Sequence, residues 1–165
     1  MWLYAYAGVW TITLAVSAAV STVGVRASVR HRLGLALKPD AAPQLGGVLA
    51  LAAHNIPIES WPLLLGVLGA HRNRYARRAT DGFLLVWLIA NTLPVGAALG
   101  AYGMAVVPYL PHLPLEWAGL ALGTSSWLVQ RRSTLSVHER VVWLALTAGV
   151  LLCAATLETV AVPHR

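Results

Sequence analysis

The sequence predicts an all-α, polytopic helical membrane protein, and three observations carry that prediction. Hydrophobic residues make up 58% and charged residues 11% of the 165 residues, with a mean hydropathy of +0.66. A soluble fold of this size needs more polar surface than that composition supplies. Five apolar runs, Trp2–Val25, Leu45–Ala70, Phe83–Val107, Pro114–Val129 and Val141–Val162, mostly reach the roughly 20 residues that cross a bilayer. Nearly every cation falls between these runs, at Arg26 to Lys38, Arg72 to Arg78 and Arg131 to Arg140. Together they read as one integral membrane domain over 1–165.

The first run follows Met-Trp-Leu-Tyr with no basic segment before it and is longer than a signal-peptide core, so a retained first helix is expected. The small residues at Ser17–Ser21 leave a cleaved signal as the alternative. The second run, at 45–70, is flanked by cations on both sides. If all cations stay cytoplasmic, it must enter and return as a re-entrant helical hairpin. His54-Asn55-Ile56-Pro57-Ile58-Glu59 offers the turn, because Pro57 has no N–H and crowds the preceding turn. The alternative is a plain crossing that breaks the positive-inside pattern. The runs at 2–25, 83–107, 114–129 and 141–162 then alternate as about four full spans, with both termini external.

The formal charge of +6 is distributed as short inter-helix clusters, the pattern of membrane topology and not of a nucleic-acid surface. Asp81 is placed to cap a helix beginning at Gly82 or Phe83. Cys153 is the only cysteine, so neither a disulfide framework nor a thiolate metal site is available. No phosphate-binding loop and no Ser-His-Asp arrangement is present. His31, His71 and His138 accompany the basic clusters, and Glu158 and His164 fall near the end of the last helix, where solvation explains them.

An internal repeat is visible at an offset of 57 residues: Pro57 to Gly66 aligns without gaps on Pro114 to Gly123, matching Pro, Glu, two Leu and Gly. It predicts two similarly oriented hairpins that face each other, a plan found in membrane proteins that handle a solute near the midplane. Gly96-x-x-x-Gly100 and Gly119-x-x-x-Gly123 have the spacing that lets helix backbones approach.

Six polar residues inside the apolar runs are hard to explain as solvated surface: His54, Asn55, Glu59, Asn91, His112 and Glu116. An ionised Glu at the centre of a membrane helix costs about 2.5–3.5 kcal/mol on insertion scales. One explanation is structural, since Pro and an acidic residue both favour a helix N-terminus. The other is chemical: the hairpin tips meet and cluster these six side chains. Within that cluster His54, Glu59, His112 and Glu116 supply two imidazoles and two carboxylates, a set that fits catalytic zinc with a general base. No His-Glu-x-x-His signature accompanies them. A proton relay through the same carboxylates is the parallel chemical reading.

The segment Leu110-Pro-His-Leu-Pro-Leu-Glu-Trp-Ala-Gly119 resembles the stage II sporulation protein M family, whose members carry Leu-Pro-His-(x)3-Glu followed by small residues; here these are Pro111, His112 and Glu116. Asn55, and Asn91 with Gly96, resemble the family's Asn- and Gly-bearing spans, so the resemblance covers roughly 45–130. Leu113 and Ala118 depart from it, standing where the family carries Gly and Pro. The resemblance implies a multi-pass protein of the bacterial cytoplasmic membrane. It implies a scaffold in a cell-wall remodelling complex, or a small transport or immunity subunit associated with bacteriocins, working with partner proteins. With no soluble catalytic domain in the sequence, the leading expectation is a non-enzymatic component without a cofactor, zinc at the His/Glu cluster being the alternative. Three functional expectations follow: a scaffold or transport/immunity subunit with membrane or cell-wall partners and self-association; an intramembrane metal-dependent hydrolase or peptidase; and a proton-coupled transporter.

Overall fold

A computed structural model describes residues 1–34, 45–69 and 72–161. Lys38, Ala70, His71, His164 and Arg165, read above from the sequence, lie outside the described residues. Six α-helices account for almost all of the described chain: α1 Trp2–Thr22, α2 Arg26–Leu33, α3 Leu45–Val67, α4 Arg74–Tyr102, α5 Leu113–Gln130 and α6 Val137–Ala161. Two short 3-10 turns, Gly103–Ala105 and Val107–Tyr109, lead from α4 towards α5. The all-α, membrane-type fold is as expected: α1, α3, α4 and α6 are long and apolar enough to cross a membrane.

The re-entrant hairpin over 45–70 is corrected. Residues 45–67 form one continuous helix that carries Pro57 and Pro62 in its interior. Pro57 withholds an N–H from the carbonyl of Ala53, a local loss that membrane helices tolerate when their neighbours support the backbone. Ala53 and Pro57 themselves lie on the exposed face of α3, and the helix is held on either side of them by buried Ala52, Glu59, Ser60, Pro62 and Leu63. The second expected hairpin, begun by Pro114, is likewise a straight helix, with Pro114 in its first turn.

α5 runs down the centre of the molecule, packed on α1, α3 and α6. The sequence reads 114–129 as an ordinary span, yet α5 is not one of the four apolar candidates. Its sheltered position explains this: Thr124, Ser125, Ser126 and Gln130 are all buried, so α5 meets protein where an outer helix meets lipid.

Glycines set the helix spacing. A Cβ at Gly96 would come within 2.5 Å of the Thr13 carbonyl and one at Gly100 within 2.5 Å of the Ser17 carbonyl. This fixes α4 against α1 with both helices running the same way. A Cβ at Gly123 would collide with the carbonyl oxygen of Glu59, and one at Gly119 would lie 2.7 Å from Leu151 Cδ2. Both small-residue motifs are therefore helix contacts, as their spacing predicts.

The same contacts assign two ends to the bundle. Met1, Arg77, Leu128, Arg131 and Arg132 line one groove of about 260 Å³, which places the starts of α1, α4 and α6 and the end of α5 together. At the opposite end, Arg30 Nε donates to the Ala101 carbonyl at 2.8 Å, and Gly47 lies against Thr159. The cations therefore do not share one side: Arg72–Arg78 and Arg131–Arg140 lie at the first end, and Arg26, Arg30 and Arg32 at the second. Trp2 and Ala161 also lie at opposite ends of the bundle. The physical reason is the extra crossing by α3. In addition, Arg30 has a local role that topology counting ignores, since it donates to the Ala101 carbonyl in the last turn of α4 and its guanidinium carbon sits 5.4 Å from the Tyr102 ring centroid.

One helix start also differs from expectation. α4 begins at Arg74, where Asn73 Oδ1 accepts from Tyr75 N–H and Ala76 N–H. Asp81, expected as a cap, lies inside α4. It accepts from Trp127 Nε1–H at 2.9 Å and pairs with Arg131 at 3.2 Å, tying α4 to the end of α5.

Candidate functional site

The site grows out of the two glycines of α5. Without a side chain at Gly123, the backbone of α3 at Glu59 comes directly onto α5. Glu59 is thereby buried at 9% exposure, and its Oε2 would lie 3.7 Å from a Cβ at Gly119, one turn from Glu116. Gly119 in turn seats Leu151 of α6. A hairpin that sets Gly119 against Leu151 also sets His112, seven residues earlier, against Glu158, seven residues later.

His112, Glu116 and Glu158 accordingly converge, each offering a ligand atom within 4.8 Å of the others. His112 Nε2 stands 3.8 Å from Glu116 Oε2 across one turn. His112 is 8% exposed, while Glu116 and Glu158 are half-buried. The Glu59 carboxyl lies within electrostatic reach of Glu116. Two buried atoms of this group, Glu59 Oε2 and His112 Nδ1, have no hydrogen-bond partner among the described residues.

The four side chains form a column and not a flat patch. Glu158 lies three residues before the end of α6. Glu59 stands twelve residues beyond Gly47, the neighbour of Thr159, or about 18 Å further along α3 at 1.5 Å per residue. His112 and Glu116 occupy the ground between. Their helix start is set well inside the bundle, where Tyr6 O–H donates to the Pro114 carbonyl at 3.3 Å and Trp2 Nε1–H to the Ala118 carbonyl at 3.5 Å. Beyond Glu59 the line continues as small and polar groups on one face of α5, with Glu116, Gly119, Gly123, Ser126 and Gln130 at i, i+3, i+7, i+10 and i+14. Gln130 Nε2 donates to the Leu63 carbonyl at 3.4 Å and the Ser126 carbonyl at 3.2 Å, closing the line at the arginine-rich end.

Charge accounting decides what this column can do. Among the described residues, no Lys or Arg ion pair is found for Glu59, Glu116 or Glu158; the nearest basic partner is the imidazole of His112. Glu59 and Glu116 lie well inside the bundle, where an ionised carboxylate costs about 2.5–3.5 kcal/mol in a membrane domain, and Glu158 adds a third negative charge beside Glu116. Binding a proton or a metal cation removes that cost.

Of the residues singled out in the sequence, the structure brings Glu59, His112 and Glu116 together. It does not bring His54, which is exposed on α3, about 140° around the helix from Glu59. The zinc set His54, Glu59, His112 and Glu116 is thus not assembled as written. Asn55 is half-buried one turn before Glu59. Asn91, half-buried on α4, spends its amide on the Trp87 carbonyl at 2.7 Å. Glu158 is the member that the sequence reading assigned to solvation.

Comparisons with protein-family models, with curated proteins and with solved structures give no significant match. The fold and the site define a multi-pass helical membrane protein with an acid–imidazole column in its bundle.

Proposed function

We propose that this chain is a small membrane transport subunit that takes up protons or other cations at Glu158, His112 and Glu116 and passes them to Glu59 along the α3–α5 face. One observation carries the reading: Glu116 of α5 and Glu158 of α6 converge on the buried His112 imidazole, with Glu59 of α3 within electrostatic reach of Glu116 and no basic side chain set against the three carboxylates among the described residues. A group of this kind is stabilised when it holds a cation, and its column geometry gives the cation a path. The proposed orientation puts Arg72, Arg74, Arg77, Arg78, Arg131, Arg132 and Arg140 in the cytoplasm and the column's mouth outside, by the excess of Arg over the other end. The start of α1 is then cytoplasmic and the end of α6 external.

The test is proton flux into proteoliposomes under a potassium diffusion potential. Flux above the lipid leak, abolished by Glu116→Gln and Glu59→Gln with helicity and monodispersity retained, supports the reading. Wild-type flux equal to empty vesicles refutes it.

The partner-dependent role belongs to the same proposal. The segment resembling the stage II sporulation protein M family, Leu110–Gly119, supplies both His112 and Glu116, so a membrane component that acts with cell-envelope proteins would present the cluster to them. Cross-linking in membranes from the native host, followed by identification of the captured proteins, tests it; recovery of the chain alone counts against it.

A further inference from the structure

We propose that His112, Glu116 and Glu158 form a binding site for a divalent first-row transition-metal ion. The inference deepens the reading of this column as a cation site and names the ion class. Geometry comes first. Four-coordinate zinc holds nitrogen and oxygen ligands at about 2.0–2.2 Å, which sets ligand atoms about 3.4 Å apart in a tetrahedron. His112 Nε2 and Glu116 Oε2 are already 3.8 Å apart, and all three ligand atoms lie within 4.8 Å of one another.

Charge is the second support. Two carboxylates and a neutral imidazole carry a charge of −2, which a divalent ion cancels, leaving a neutral centre suited to low-dielectric surroundings. Ligand type is the third: the imidazole favours a transition ion over magnesium or calcium, which prefer all-oxygen sets. The unmet polar atoms complete the case. His112 Nδ1 and Glu59 Oε2 are both buried without a partner, and their residues are only 8% and 9% exposed. A water held by the ion gives Glu59 Oε2 something to meet, while ligation through Nε2 leaves His112 Nδ1 as the N–H side of the ring. The column also leaves Glu59 behind the three ligands, as the next carboxylate inward.

The experiment uses the full chain in detergent micelles, dialysed against Zn2+ for stoichiometry and loaded with Co2+ for its visible spectrum. One ion per chain is expected, with X-ray absorption showing imidazole scattering. His112→Gln and Glu158→Gln should weaken binding by at least about 10-fold, whereas His54→Gln and His138→Gln should leave it unchanged. Binding that is absent in the wild type, equal in all variants, or lost equally in His54→Gln overturns the site. Should Glu158→Gln fail to fold, lack of imidazole scattering in the wild type overturns it independently. Proton flux without Zn2+ binding sinks the metal site and leaves the relay; Zn2+ binding without flux upholds the metal site and sinks the transport reading.

Discussion

Replacing Gly123 with Ala should test the helix contact on which the column depends. The added methyl would collide with the carbonyl oxygen of Glu59, a backbone atom that cannot swing aside as a side chain can. α3 and α5 must therefore separate, and overpacking of this kind costs about 1–3 kcal/mol, with the upper half expected here. Gly149, in α6, has nothing within 4 Å of an added Cβ, so Gly149→Ala should be neutral or gain up to about 1 kcal/mol of helix stability. The difference between the two variants is then about 2–4 kcal/mol, more than tenfold in the unfolding equilibrium. Reversible unfolding in mixed detergent–SDS micelles, followed by far-ultraviolet circular dichroism, measures it. Gly123→Ala within about 0.5 kcal/mol of wild type, the range of an inconsequential substitution, would refute the reasoning, as would equal destabilisation by Gly149→Ala.

Other outcomes follow from single contacts. Asp81→Ala removes the acceptor of the Trp127 indole N–H, and Trp127 is fully buried, so about 1–3 kcal/mol should be lost in the same unfolding assay; Asp81→Asn, which keeps an acceptor, should lose less. Ser136→Ala breaks a capping box in which Glu139 Oε2 accepts from Ser136 N–H at 2.7 Å and Glu139 N–H donates to Ser136 Oγ at 3.2 Å. A loss of about 1 kcal/mol is expected, read by the same assay as fraying at the start of α6. In a Cys153→Ser background, Arg78→Cys and Arg32→Cys should react with membrane-impermeant reagents from opposite sides of intact vesicles; labelling from one side contradicts the continuous crossing of α3.

Much of the fold was legible because bilayer crossing is a strong constraint on composition. The apolar runs marked the helices, and Gly96/Gly100 and Gly119/Gly123 marked two helix contacts by spacing alone. The topology was not legible, for two physical reasons. Pro57 looks like a break, but one missing donor is tolerable in a helix supported by neighbours. Arg30 looks like a topology signal, but it serves the Ala101 carbonyl at the end of α4. Asp81 misled in the same way, because the partners it meets, Trp127 and Arg131, are some 50 residues distant in sequence.

Within the site, the repeat drew attention to Glu59 and Glu116, and the helices that carry them do run in the same direction. The hairpins built from it were absent, and the repeat also drew in His54, whose place on the opposite face of α3 follows from helical phase once the helix is continuous. Glu158 had no motif to mark it. The signal available was the short connection between α5 and α6: a tight antiparallel hairpin pairs residues symmetrically about its turn, and that symmetry carries Glu158 to His112.

Proximity itself is the account's central claim, and cysteine cross-linking in a Cys153→Ser background measures it most directly. With a short-arm thiol cross-linker in native membranes, the pair Glu116→Cys and Glu158→Cys should link efficiently within one chain, while His54→Cys and Glu158→Cys should not. Efficient linkage of the His54 pair, with none between positions 116 and 158, would contradict the convergence of the acidic column.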